Sequence, residues 1–134
     1  MNDNYFSAFN SREITSQSNY SFASTREFPL SSVYPSRQLE IAGQTYLLSI
    51  VPQDNTAPGA WRFQLHNKAA SGLIPGGFKL RVLTEAGESF PDNEAVARKA
   101  VERLYVDVHL VEGSALTWEI EPIPEGYQRE ILIF

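Results

Sequence analysis

From residue 38 onward, apolar and polar positions alternate in short runs. Leu104, Val106, Val108 and Leu110 are interleaved with Tyr105, Asp107 and His109, and Leu116, Trp118 and Ile120 with Thr117, Glu119 and Glu121. A period of two sends successive side chains to opposite faces, so each run predicts a strand with one buried face. Only Glu112-Gly113-Ser114 and its neighbours separate the two runs, and the spacing predicts that they pair as a hairpin.

The same pattern recurs earlier in the chain. Leu39-Glu40-Ile41 and Thr45–Val51 flank Ala42-Gly43-Gln44 and predict a second hairpin, with Gly43 supplying the residue that tolerates positive φ. Trp61, Phe63 and Leu65 alternate with Arg62, Gln64 and His66, which sets an aromatic core face against a polar one. Phe78, Leu80 and Val82 continue the pattern after a loop broken by Ser71-Gly72 and Pro75-Gly76-Gly77. Residues 94–101 fit either a short helix capped by Asn93 or a strand. The closing run Arg129–Phe134 is apolar and must be covered, by the protein's own sheet or by strand addition, including homodimer pairing through a sheet edge. Short strands at intervals of roughly 8–12 residues predict an all-β, antiparallel β-sandwich of immunoglobulin-like shape, with a small barrel as the competing architecture.

Residues 1–37 have a different composition. Nine of the chain's thirteen serines lie there, and aliphatic residues are nearly absent before Leu30. A segment this poor in burial offsets little of its ordering entropy, so a disordered tail on a domain of residues 38–134 is expected. The tail nevertheless carries half of the Phe and Tyr. Tyr5, Phe6, Phe9, Tyr20 and Phe22 are candidate anchors for a protein partner, and docking of such rings on the domain itself is the plainer alternative.

Charge and composition then narrow the function classes. A net charge of -5 with scattered basic residues argues against nucleic-acid binding. The absence of cysteine removes disulfides, thiol nucleophiles and thiolate metal sites. No basic and apolar leader and no membrane-length apolar run is visible, so a cytoplasmic protein without membrane contact is expected.

Candidate chemistry is sparse. Tyr105, Asp107 and His109 share one face of a strand and form the best ligand-binding candidate; His66, a conceivable third metal ligand, lies on another strand. The plain expectation for that face is solvent. Glu119 and Glu121 also share a face, more simply as surface acids paired with Lys79 or Arg81 than as a glycosidase pair. No acid, base and nucleophile set converges, so no enzyme, no catalytic residue, no metal and no cofactor is expected.

The stretches Ile74–Glu85, Leu104–Val108 and Leu116–Pro122, with the Arg129-Glu130-Ile131-Leu132 ending, resemble a cyanobacterial protein family of unknown function over about residues 38–134. The resemblance implies a cytosolic protein with a regulatory binding role and supplies no catalytic residues. The functional expectation is a non-enzymatic protein-interaction or adaptor domain using a sheet edge or face together with the tail. A small-ligand or carbohydrate-binding sandwich is the alternative.

Overall fold

The structure, a computed structural model, describes residues 7–8, 36–53 and 58–134. Those residues are all-β. They form β1 (Ser7–Ala8), β2 (Arg37–Ile41), β3 (Gln44–Pro52), β4 (Ala60–Asn67), β5 (Lys79–Thr84), β6 (Glu94–Val96), β7 (Arg103–His109), β8 (Ala115–Glu121) and β9 (Leu132–Ile133). One antiparallel sheet has the order β1-β7-β4-β3-β2 and the other the order β6-β5-β8-β9. The tail rings Tyr5, Phe6, Phe9, Tyr20 and Phe22 lie outside the described residues. Ser7 and Ala8 pair with His109 and Val108, so this part of the segment set apart as a tail joins the first sheet.

The alternation rule assigns the core. Tyr46, Leu48 and Ile50 of β3, Phe63 and Leu65 of β4, and Leu104, Val106 and Val108 of β7 point inward from the first sheet. They meet Leu80 and Val82 of β5 and Leu116, Trp118 and Ile120 of β8 from the second. Phe63, Leu48, Leu80 and Val82 have no exposed surface at all. Burying each such side chain contributes on the order of 1.5–3 kcal/mol, enough in sum to hold the sheets face to face.

The expected β2–β3 hairpin forms, with Leu39 opposite Tyr46 and Ile41 opposite Gln44. Its turn places Ala42 at φ 52° and Gly43 at φ 82°. The second expected hairpin does not form. β7 pairs with β4 and β8 with β5, so the connection at 110–114 crosses from one sheet to the other. The two apolar faces read from the sequence oppose each other across the core instead of lying side by side. The C-terminus stabilises this crossing, because Phe134 donates its N–H to the Ser114 carbonyl at 2.8 Å. β9 lies against the start of β8, Leu132 opposite Leu116, so the closing run is covered by the protein's own sheet as the first of its two expectations held.

The ambiguous stretch 94–101 resolves as a strand followed by a bend. Glu94–Val96 pairs with β5, and Asn93 caps no helix: its Nδ2 donates to the Val82 carbonyl at 2.7 Å. Asp92, at φ 60°, makes the reversal that brings Asn93 there. A three-residue edge strand limits the open hydrogen-bonding edge of this sheet.

Candidate functional site

The central strand pair β4–β7 carries most of the residues singled out by sequence. On its outward face the register places Arg62 opposite Asp107 and Gln64 opposite Tyr105. Solvent was the expectation for this face, and for two residues the structure corrects it. Asp107 is 3% exposed and Arg62 4%. The Arg62 guanidinium donates from Nε to Asp107 Oδ1 at 2.7 Å and from Nη2 to Oδ2 at 3.0 Å. Its other face lies 4.0 Å from the centre of the Tyr105 ring, the diagonal neighbour across the strands. Both charges are therefore compensated by a two-pronged pair of the kind that makes charge burial tolerable.

This geometry decides what the ligand-binding trio can do. Tyr105, Asp107 and His109 do share one face, but each is engaged internally. Asp107 gives both oxygens to Arg62, Tyr105 stacks under the same guanidinium, and the His109 Nε2 lies 2.7 Å from the Pro58 carbonyl. His66 lies at the opposite end of the strand pair, six positions from Ala60, the partner of His109, or about 20 Å along the strand. The two histidines do not converge. Among the described residues no three His, Asp or Glu side chains gather as a metal-holding set.

The paired glutamates are placed as the surface reading expected. Arg81 Nη1 lies 3.1 Å from Glu119 and 3.9 Å from Glu121, and Arg81 Nε 3.1 Å from Glu94. These hydrogen bonds and charges hold the Arg81 pKa above its ordinary value against the opposing effect of burial, which is the largest single influence.

A second ion pair links the sheets at one edge. Arg37 of β2 donates from Nε to Glu130 Oε2 at 2.6 Å and from Nη2 to Oε1 at 2.9 Å, and Trp118 Nε1 of β8 donates to the same carboxylate at 2.8 Å. The Arg37 hydrogen bond holds the Glu130 pKa below the ordinary carboxylate range, aided by Trp118 and opposed by burial. Tyr127 packs edge-on against Trp118 with ring centres 5.1 Å apart and donates its hydroxyl to the Trp118 carbonyl. Sequence reading gave Glu130 no role, because its two partners are 93 and 12 residues away and no local pattern joins them.

The surface that stands out is apolar. At the crossing between β7 and β8, Trp61, Leu110, Val111 and Phe134 line a groove of about 320 Å³ with Pro58, Gly59 and one charged residue, Glu112. Trp61 and Phe134 meet edge to face at 4.8 Å and form its aromatic floor. Gly59 is required here. Its φ is +82°, and a Cβ would lie 2.5 Å from the Leu110 carbonyl oxygen. Val111, in the groove wall, is 53% exposed, and Ile131 and Ile133, on the outer face of the closing run opposite to buried Leu132, are 42% and 57% exposed. Three large aliphatic side chains thus face outward, Val111 at the groove and Ile131 and Ile133 on the outer face of the C-terminal run. Sequence reading missed the groove because Trp61 and Phe134 are 73 positions apart, although the apolar closing run was its local signal.

Fold and surface together define a two-sheet antiparallel β protein with an apolar corner. The chain belongs to the family described as Protein of unknown function (DUF1822), whose model matches residues 5–133. That match takes in most of the Ser-rich segment that the sequence resemblance, drawn over about 38–134, had left outside. No curated protein and no solved structure matches the chain. Among the described residues no helix is long and apolar enough to cross a membrane.

Proposed function

We propose that the chain is a non-enzymatic protein-interaction domain whose contact surface is the aliphatic corner of Val111, Ile131 and Ile133 around the Trp61–Phe134 groove. The observation that carries this reading is the exposure of Val111 in a groove with an aromatic floor, next to a closing run whose Ile131 and Ile133 face outward. Exposed apolar groups clustered at a groove are what a partner's aliphatic or aromatic side chain buries on docking. The five tail rings, Tyr5, Phe6, Phe9, Tyr20 and Phe22, are read as a second contact that raises affinity through effective concentration. A cytoplasmic, regulatory adaptor of cyanobacterial origin is the setting in which we place this activity. We read the two antiparallel layers over one core as a sandwich of immunoglobulin-like outline, although the β2-β3-β4 meander gives it a strand order of its own.

The test compares partner capture by the full chain and by a Val111→Asp/Ile131→Asp variant, after thermal melts show that both are folded. A protein retained by the parent and lost from the variant supports the corner as the contact. Equal retention by both refutes it. The small-ligand alternative at Tyr105, Asp107 and His109 draws no support from the internal engagement of all three side chains.

A further inference from the structure

The end of the β4–β7 pair remote from the groove holds a polar cleft of about 400 Å³. Its walls are built from both strands and from the loop that follows β4. The register sets His66 directly opposite Arg103, with Gln64 two residues away on the same outward face. Ser71 and Glu102 also line the cleft, and Asn67 fixes the loop.

The loop is held in place independently of any ligand. Asn67 Nδ2 donates to Gln44 Oε1 at 3.0 Å and to the Leu73 carbonyl at 3.1 Å, and Asn67 Oδ1 accepts from the Ala69 N–H at 2.9 Å. Gly72 packs so closely on this side chain that a Cβ would lie 2.3 Å from Asn67 Cγ. The wall is therefore preformed, as small-molecule sites usually are.

Unlike Asn67, the polar side chains that the two strands bring to the cleft are unengaged among the described residues. Among the described residues, the side chains of Gln64, His66 and Arg103 enter no hydrogen bond and no ion pair, unlike Arg37, Arg62 and Arg81, each of which holds a carboxylate. The His66 Nδ1 is buried without a partner. Placing the proton on Nε2 leaves only a lone pair at the buried nitrogen and makes Nε2–H the ring's donor to a ligand. Burial and the neighbouring Arg103 charge both lower the His66 pKa, which favours the neutral ring at neutral pH. The charged groups around it are Arg103 across the strand, Glu102 beside that, and Lys68 two residues on, whose Nζ lies 3.2 Å from Gln38 Oε1.

An imidazole N–H, a guanidinium and a side-chain amide thus line one concave site, with Glu102 the single acid among its lining residues. We infer that this cleft binds a small-molecule oxyanion, a carboxylate or phosphate group, with Arg103 as the charge partner and His66 and Gln64 as orienting donors. A planar guanidinium suits either group through two parallel hydrogen bonds. A bound anion also reverses the electrostatic penalty on the imidazolium, so occupancy raises the His66 pKa. The site shares no residue with the apolar corner, and its occupancy stands apart from partner docking.

The experiment is an NMR titration of the full isotope-labelled chain with sodium phosphate and, separately, sodium succinate, against sodium chloride at matched ionic strength. Saturable shifts at Gln64, His66, Ser71 and Arg103, accompanied by an upward move of the His66 titration midpoint, are expected with at least one oxyanion and not with chloride. Response to phosphate alone or to succinate alone supports the site and assigns its class. Arg103→Gln should weaken binding by about 10- to 100-fold, the equivalent of one charge-assisted hydrogen bond. Glu102→Gln, which removes the opposing acid, should tighten it. Shifts that match those in chloride, that fail to saturate, or that persist unchanged in Arg103→Gln overturn the assignment.

Discussion

The Arg62–Asp107 pair is the feature whose removal should be felt most. Replacing Asp107 by Ala deletes both acceptors of a guanidinium that is 4% exposed and leaves its charge without compensation. Breaking a buried pair in this way costs about 3–5 kcal/mol, most of it the penalty of the stranded charge and not the worth of the contact. For a domain of this size each kcal/mol moves the melting temperature by about 4–8 °C, so a fall on the order of 15–30 °C is expected. In urea the midpoint should drop by about 2 M with the slope preserved. The informative control removes both charges at once. Arg62→Met/Asp107→Leu keeps apolar volume on the same strands and should recover most of the loss or exceed the parent, since buried pairs are often replaceable by well-packed apolar groups. The coupling energy from the cycle of the parent, Arg62→Met, Asp107→Leu and the double variant should then be several kcal/mol, as for groups in direct contact. If Asp107→Ala melts within a few degrees of the parent, or if the two single losses simply add, the buried-pair argument fails.

Other consequences follow from the same structure. Glu130→Gln should flatten the acid limb of the stability curve: the folded carboxyl has a lowered pKa, so its contribution is present above the unfolded value and is lost as pH falls through the folded one. Acid titration of stability in the parent and the variant checks this, and identical limbs contradict it. Gly59→Ala places a methyl against the Leu110 carbonyl at positive φ and should cost about 1–3 kcal/mol, whereas Gly113→Ala, whose Cβ would meet nothing within 4 Å, should cost less. Urea melts of the two variants make the comparison, and equal losses would contradict the close-approach argument. Phe63→Ala, at a fully buried position between the sheets, should cost about 3–5 kcal/mol by the same assay.

What the sequence disclosed, and what it did not, follows from the range of the forces involved. Alternation is local, and it assigned the core-facing residues correctly for Trp61–Leu65, Phe78–Val82 and Leu104–Leu110. The β2–β3 hairpin was legible because its turn residues and both strands lie within one short window. Partner choice is not local. Glu112-Gly113-Ser114 can close a hairpin or arch between sheets, and in this fold both edges of β7 are taken, by β1 and β4, and both edges of β8, by β5 and β9. Asp107 read as a solvent residue because Arg62 is 45 positions away, and nothing near either residue shows that two outward-facing charges neutralise each other under cover. The helical option at 94–101 failed for a similar reason: pairing with Lys79–Arg81 overrode a weak local propensity. Of the candidate surface, the apolar closing run was visible in sequence, but the meeting of its Phe134 with Trp61 was not.

The account turns on whether the Val111–Ile131–Ile133 corner is a contact surface. The most direct measurement places a photo-crosslinking amino acid at Val111 and, as a control, at Leu73, which is also exposed but lines the polar cleft at the opposite end of the β4–β7 pair. Burying two such aliphatic side chains is worth about 2–4 kcal/mol, or more than tenfold in affinity, so occupancy at this site should dominate the crosslinking. The prediction is a discrete protein adduct from position 111 that is lost when Ile131 and Ile133 are replaced by Asp, with none from position 73. Equal adducts from both positions, or none from position 111 in a folded protein, would contradict it.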